Sequence, residues 1–372
     1  MISSLFPVIQ SSGFFNLTWG MPVMWAIGLT LIFLAISKGY EPLLLLPIGF
    51  GIILANLPLA GLMEPGAGLI WRFYHYGIQW EIIPPLIFLG LGALTDFGPL
   101  LSNPHLIFLG AGAQVGVYLT FFAAYGLGFS LPEAATIGII GGADGPTTIF
   151  LAEKLAPELL GSVAVAAYSY MALVPVIQPP IMKLLTTKKE RLIRMEKKRK
   201  ATRLEKLLFP LVSTFVIVLL VPASAPLISM FMLGNLFREA KVVERLSNTV
   251  QNELMNIVTI FLGISVGATM NAENFLRGQV IFIFVMGLFA FMVSTASGIL
   301  LAKFMNLFLK EKINPLLGAA GVSAVPMAAR VVNTVGAQAD KKNYLLMFAM
   351  GPNVAGVIGT VIAAGIFLTF FQ

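Results

Sequence analysis

The sequence predicts an all-α polytopic membrane protein arranged as an inverted repeat, and three observations lead there. Apolar residues make up 58% of the 372 and charged residues only 11%, giving a mean hydropathy of +0.89, whereas soluble domains carry about 25% charge. Apolar runs near the roughly 20 residues that cross a bilayer recur from Trp19 to Phe371. Polar or proline-rich breaks divide those runs into two similar sets of six. A soluble enzyme and a large extramembrane domain are thereby excluded. With no cysteine and two histidines, so are disulfides, thiolate zinc, iron–sulfur clusters and thiol catalysis. Any bound metal is expected to be a hard, oxygen-liganded cation. Residues 1–20 lack a basic stretch and a small-residue cleavage site, so they are not read as a removable signal peptide.

The first set comprises segments 20–37, 42–59, 81–99, 104–129, 131–152 and 160–182, followed by a basic loop. The second comprises 205–221, 222–237, 252–270, 278–304, 314–334 and 344–370. Three pairs of local matches relate the sets in the same order. IFLGLGALT at 87–95 resembles IFLGISVGAT at 260–269; Gly138, Gly141 and Pro146 recur 180 residues later as Gly318, Gly321 and Pro326; and AYSY at 167–170 occupies the slot of MFAM at 347–350. The expected organisation is a first membrane repeat over 1–182, a basic loop over 183–204 and a second repeat over 205–372.

The fifth segments cannot be plain spans. IGIIGGADGPTT at 137–148 holds four glycines, a proline and a carboxylate, and proline and glycine inside a helix cost about 3 and 1 kcal/mol. Irregular backbone at membrane depth is tolerated where it is buried in protein or lines a wet cavity. Both fifth segments are therefore expected to be broken or re-entrant helices, leaving five crossings in each half. Five is odd, so the second half begins on the opposite face and the repeat is inverted.

Between Lys183 and Lys206 stand eleven Lys/Arg against Glu190, Glu196 and Glu205, a local charge of +8 within an overall +7. A nucleic-acid patch and a lipid- or partner-docking surface were weighed against a cytoplasmic topology signal, and the last is the default. With that loop inside, twenty basic residues fall inside, Arg72, Lys154 and Arg277 outside, and Arg330 within a break. The bias favours the inverted topology, with both termini external and Trp71, Phe73, Tyr74, Tyr76 and Trp80 forming an outer interfacial belt.

Paired broken helices at corresponding places point to a transport site near mid-membrane. Asp144 is the first candidate, since a membrane carboxylate normally pairs or carries an ion; a helix N-cap before Gly145 and Pro146 is the plainer reading. Its oxygens suit a hard cation, and competition between Na+ and H+ follows. Arg330 closes an apolar run from Ser323 and either snorkels to the inner interface or pairs with Asp144 or an anionic substrate group. Asn314 and Ser323 come from the second break. Tyr170 is packing or a phenolic donor, Asn353 a ligand or a cap, and His75 and His105 are interfacial.

GGADGPT at 141–147 and NPLLGAAGVSAVPMAAR at 314–330 strongly resemble the integral-membrane beta subunit of biotin-dependent sodium-pumping decarboxylases, the oxaloacetate, methylmalonyl-CoA and glutaconyl-CoA decarboxylase family. The resemblance covers nearly the whole chain. It implies a membrane subunit of the cell membrane that decarboxylates carboxybiotin while exporting Na+ and consuming a proton. It also implies catalytic roles for Asp144, Tyr170 and Arg330, and an ion site drawing on Asn314, Gly318 and Ser323, with Asn353 added from its place in an apolar run. Na+ would be held by Asp144, Ser323 and Asn314, and carboxybiotin met by Arg330. The chain has no Met-Lys-Met biotin-attachment site, so biotin arrives on a partner. Expected partners are biotin-carrier and carboxyltransferase subunits, a small gamma or delta subunit, membrane lipid and further copies of this chain, with no nucleic acid. The competing classes are a secondary Na+-coupled symporter or Na+/H+ antiporter and a passive membrane anchor.

Overall fold

A computed structural model describes residues 12–196, 199–276 and 278–372. Lys197, Lys198 and Arg277 of the charge pattern, and most of the 1–20 stretch, lie outside the described residues. All regular structure among the described residues is helical. The first half runs α1 (Gly20–Lys38), α2 (Pro42–Ala55), α3 (Leu69–Phe73), α4 (Ile83–Leu94), α5 (Gly98–Ser102), α6 (Ile107–Gly126), α7 (Leu131–Gly138), α8 (Gly145–Leu155) and α9 (Leu160–Leu185). After α10 (Lys188–Arg191) the second half runs α11 (Arg203–Leu220), α12 (Ala225–Ala240), α13 (Glu244–Thr249), α14 (Met255–Ala268), α15 (Ala272–Phe275), α16 (Gly278–Met305), α17 (Met327–Ala339) and α18 (Leu346–Phe371).

Local chemistry sets several boundaries. Ser130 with Glu133, Thr187 with Glu190 and Thr202 with Glu205 form reciprocal capping boxes that start α7, α10 and α11, each satisfying two backbone amides that a helix start leaves orphaned. Gly39 in the left-handed conformation ends α1, where a residue without Cβ closes the last turn at least cost.

Six helical stretches among the described residues are long and apolar enough to cross a membrane, including α1, α16 and α18. The bent pair Leu69–Gln79 and Ile83–Leu94, angled at 64°, makes up to seven. The remaining expected crossings are shorter: α2, with 14 residues, extends roughly 21 Å at 1.5 Å per residue, less than the ~30 Å hydrocarbon core. Segment 205–221 forms the 18-residue α11, whose first turn carries Arg203, Glu205 and Lys206.

The helices of the two halves pack in exchanged pairs. Helix α2 lies on α14 and α12 lies on α4; α6 lies on α16; α9 contacts α16 while α18 contacts α6. Glycines bring the backbones together at the first two crossings, Gly51 and Gly267 between α2 and α14, Gly92 and Gly234 between α4 and α12. In each half a π-turn, Tyr74–Gln79 or Val250–Leu254, leads toward the third long element. Helices α9 and α18 occupy the interior, with 67% of each apolar window buried, against 28% for α1. Both fifth elements are broken. Helix α7 tightens into a 3-10 turn, Ile139–Gly142, and the chain passes through left-handed Ala143 and extended Asp144 before α8. In the second half a 3-10 stretch, Pro315–Gly321, gives way to extended Val322 and then α17. Helices α6 and α16 grip both breaks.

Candidate functional site

The two breaks meet. The Ser323 backbone N–H donates to the Gly142 carbonyl at 2.8 Å, across 181 residues of chain. Asp144 lies two residues beyond that bond, 4% exposed. Although it stands at the N-cap of α8, its carboxylate accepts the Thr147 hydroxyl at 2.8 Å rather than closing a capping bond on the backbone. The Thr148 amide and hydroxyl both donate to the Asp144 carbonyl. A negative charge here is favoured by the positive end of α8, which helps keep a carboxylate in an otherwise apolar surround.

Two buried oxygens of residues that line this cavity with the carboxylate, Ser323 Oγ and Tyr168 OH, have no hydrogen-bond partner among the described residues, and Asn353 Oδ1, behind the second break, is likewise unpaired. Ser323 faces Asp144. Tyr168, on α9, lays its ring against Gly145, so closely that any Cβ there would run into the ring. Asn353, on α18, donates to Ala320 O at 3.1 Å and Val322 O at 2.7 Å, holding the extended turn that presents Ser323. A buried polar atom without a partner costs about 1–3 kcal/mol, so the two orphaned oxygens of the cavity favour a ligand that pairs with them. Carboxylate, hydroxyl and phenol oxygens form a donor set for a hard cation, and among the described residues no group of three or more His, Cys, Asp or Glu offers a transition-metal site.

The carboxylate sits at the inner end of a cavity of about 300 Å³, at the lower bound for small-molecule sites. Buried Asp144, Tyr168 and Ser323 line its deep end; exposed Leu43 and Leu94, with half-buried Glu41 and Gln251, line its outer end. Thr95, Asn256 and Thr259 add polar atoms along the wall. The mouth opens on the face that carries the basic loop, where Lys206 pairs with Asp96 at 2.9 Å and Arg238 donates to Leu94 O. Glu41 occupies the turn between α1 and α2 in a left-handed conformation with φ 37°. Burial pushes its carboxyl above the ordinary range, and Arg330 opposes that.

The structure does not bring all the candidates together. Asn314 caps the 3-10 stretch through Leu316 N and donates to Arg191 O and Ile193 O. Seven 3-10 residues separate it from Val322, about 14 Å at 2.0 Å per residue, so in this structure its amide fastens the basic loop and its hydrogen bonds lie away from Asp144. Gly318 serves close packing, its Cα against the Gly298 carbonyl. Tyr170 donates its hydroxyl to Phe284 O and turns away from the cavity; residues two apart on a helix face opposite ways, and Tyr168 is the one that faces inward. Arg330 is exposed on α17 and acts on Glu41 rather than pairing with Asp144. His75 stacks on Trp71 at 4.5 Å and contacts Gln79 at 2.7 Å within the aromatic cluster, and His105 lies in the short turn before α6.

A family model for the Na+-transporting oxaloacetate decarboxylase beta subunit matches residues 20–371. The chain belongs to that family. It is 54% identical to the methylmalonyl-CoA decarboxylase subunit beta of Propionigenium modestum, over the whole of both chains. It is 57% identical to the glutaconyl-CoA decarboxylase subunit beta of Acidaminococcus fermentans, over 99% of this chain and 97% of that one. Identity to the oxaloacetate decarboxylase beta chain of Klebsiella pneumoniae is 52%, over 99% of each. In this member of the family, sequence reasoning missed Glu41, Tyr168, Thr95, Asn256 and Thr259. Glu41 hides among the charges expected at a segment end, and Tyr168 is chosen over Tyr170 only by which face of α9 is inward.

Proposed function

We propose that this chain is the membrane subunit of a Na+-translocating decarboxylase, receiving carboxybiotin from a partner and linking its decarboxylation to Na+ export and proton uptake. The observation that carries the proposal is the meeting of two broken helices around buried Asp144 at the end of a cavity open toward the basic face. Biotin-carrier and carboxyltransferase subunits, a small gamma or delta subunit and further copies of this chain complete the assembly. The relatives' names do not favour a symporter or antiporter without chemistry.

In this reading the basic face, with loop 183–206, is cytoplasmic. The two repeats, 1–182 and 205–372, are inverted, a relation supported by the exchanged helix pairs and the paired breaks. Carboxybiotin supplies a reaction whose free energy drives the ion. Moving one positive charge outward against 100 mV costs about 2.3 kcal/mol. Arg330, exposed beside the mouth, is placed for a carboxylate arriving from that side. Asp144 and Ser323, with Tyr168, supply oxygens to Na+, and Asn353 holds their backbone. Once Na+ departs, a carboxylate left in this water-poor region takes a proton or stays unpaired; that proton leaves again when Na+ reloads, and the net proton consumed is the one that replaces the carboxyl group on the biotin nitrogen as CO2 is released.

The test uses the complex purified with its partners and reconstituted in vesicles. Asp144→Asn is expected to abolish Na+-dependent turnover and Na+ uptake while the complex still assembles. Near-normal pumping by that variant would remove Asp144 from the mechanism.

A further inference from the structure

Glu41 shares the cavity with Asp144, yet its carboxylate has no role in the mechanism above. Its backbone adopts a conformation uncommon for a side chain with Cβ, φ 37°, and such outliers cluster at functional positions. Between the two acids stands Tyr168, 1% exposed, with a hydroxyl unpartnered among the described residues and within the field of both Asp144 and Glu41. An acid at the mouth, an unpaired phenol behind it and a second acid at the buried end form a graded path of oxygens.

We propose that Glu41 is the carboxylate that draws Na+ into the cavity. This rests on the function proposed above. Glu41 lines the same cavity as Asp144 and Tyr168, so a cation met at the mouth by Glu41 passes the phenol of Tyr168 to reach Asp144, exchanging one oxygen partner for the next with no bond made or broken.

The experiment measures the Na+ concentration for half-maximal decarboxylation and the equilibrium binding of radiolabelled Na+ without substrate, both in the reconstituted complex. Glu41→Gln should raise the half-activating Na+ concentration about five- to tenfold, tenfold being about 1.4 kcal/mol, and leave the rate at saturating Na+ within about twofold. Glu41→Asp should shift it less. Glu41→Gln should also weaken equilibrium Na+ binding in the absence of substrate, a readout independent of turnover. Unchanged half-activation in Glu41→Gln overturns the proposal, as does a lowered melting temperature with unchanged Na+ dependence, which would reduce Glu41 to a helix-end charge. Should Glu41→Gln fail to assemble, Glu41→Asp decides: a rise of twofold or more supports the proposal and no rise overturns it. An unmodified complex whose decarboxylation ignores Na+ would instead sink the function itself, and the control shows this before any variant is read.

Discussion

Gly145 shows how one residue ties helix geometry to the ion path. It begins α8 beside Asp144, and the Tyr168 ring fills the space a Cβ would need. The ring is rigid and both helices are buried, so Gly145→Ala must displace Tyr168. Overpacking of this kind costs about 1–3 kcal/mol. The expected outcome is a lower melting temperature together with weaker Na+ activation, because the phenol leaves its place near both acids; unchanged Na+ activation would show that the phenol's position is irrelevant. Asp144 was legible in the sequence because a single carboxylate in a glycine-broken apolar run has few other uses. Asn314 was legible as polar but not as distant: only the 3-10 stretch, which lengthens the chain per residue, shows that it reaches the basic face.

At the scale of elements, the basic loop is fastened to the membrane core rather than trailing from it. Arg194 pairs with Asp340 at 2.6 Å and Lys303 with Glu190 at 3.1 Å, Arg199 donates to Leu101 O at 2.8 Å, and Asn314 and Asn343 both donate to carbonyls of Arg191 and Ile193. The Lys342 backbone N–H, and then the Arg194 guanidinium, hold Asp340 below the usual carboxylate range. A carboxylate whose folded pKa is depressed stabilises the fold above its unfolded pKa, about 3.9 for aspartate, and that contribution is lost as pH falls through the folded value. Acidification through and below pH ~4 should therefore loosen residues 191–196, seen as faster amide hydrogen exchange there and reproduced at neutral pH by Asp340→Asn. Protection unaffected by either change would show that the asparagine bonds alone fasten the loop. The capping boxes at Ser130, Thr187 and Thr202 were readable as local motifs, whereas the partner of each basic residue was not, since ion pairs across more than 100 residues depend on which helices become neighbours.

For the whole molecule, the proposed inverted arrangement makes a prediction suited to a chain without cysteine. Single cysteines introduced in corresponding turns of the two halves should label from opposite sides: Lys38→Cys from the cytoplasmic face and Ala223→Cys from the external face. Lys189→Cys should behave like the first, and Glu64→Cys like the second. Labelling of Lys38→Cys and Ala223→Cys from the same side would make the repeat parallel and withdraw the topology. The exchanged pairs α2 with α14 and α4 with α12 were not visible in sequence. The glycines at those crossings are few among 36, and nothing local marks which glycine meets a backbone.

By itself the sequence determined the membrane-embedded helical class and the positions of the two breaks, and it singled out Asp144 and Ser323 within them, because hydropathy, helix-breaking cost and the expense of a buried charge are properties of residues and their near neighbours. The tertiary structure alone decided that Tyr168 rather than Tyr170 faces the cavity, that Asn314 and Gly318 sit in anchoring and close-packing contacts, and that Glu41 lines the mouth. Those outcomes depend on helix rotation and on contacts between distant segments, such as Asn314 with Arg191 across 123 positions, which no local pattern encodes.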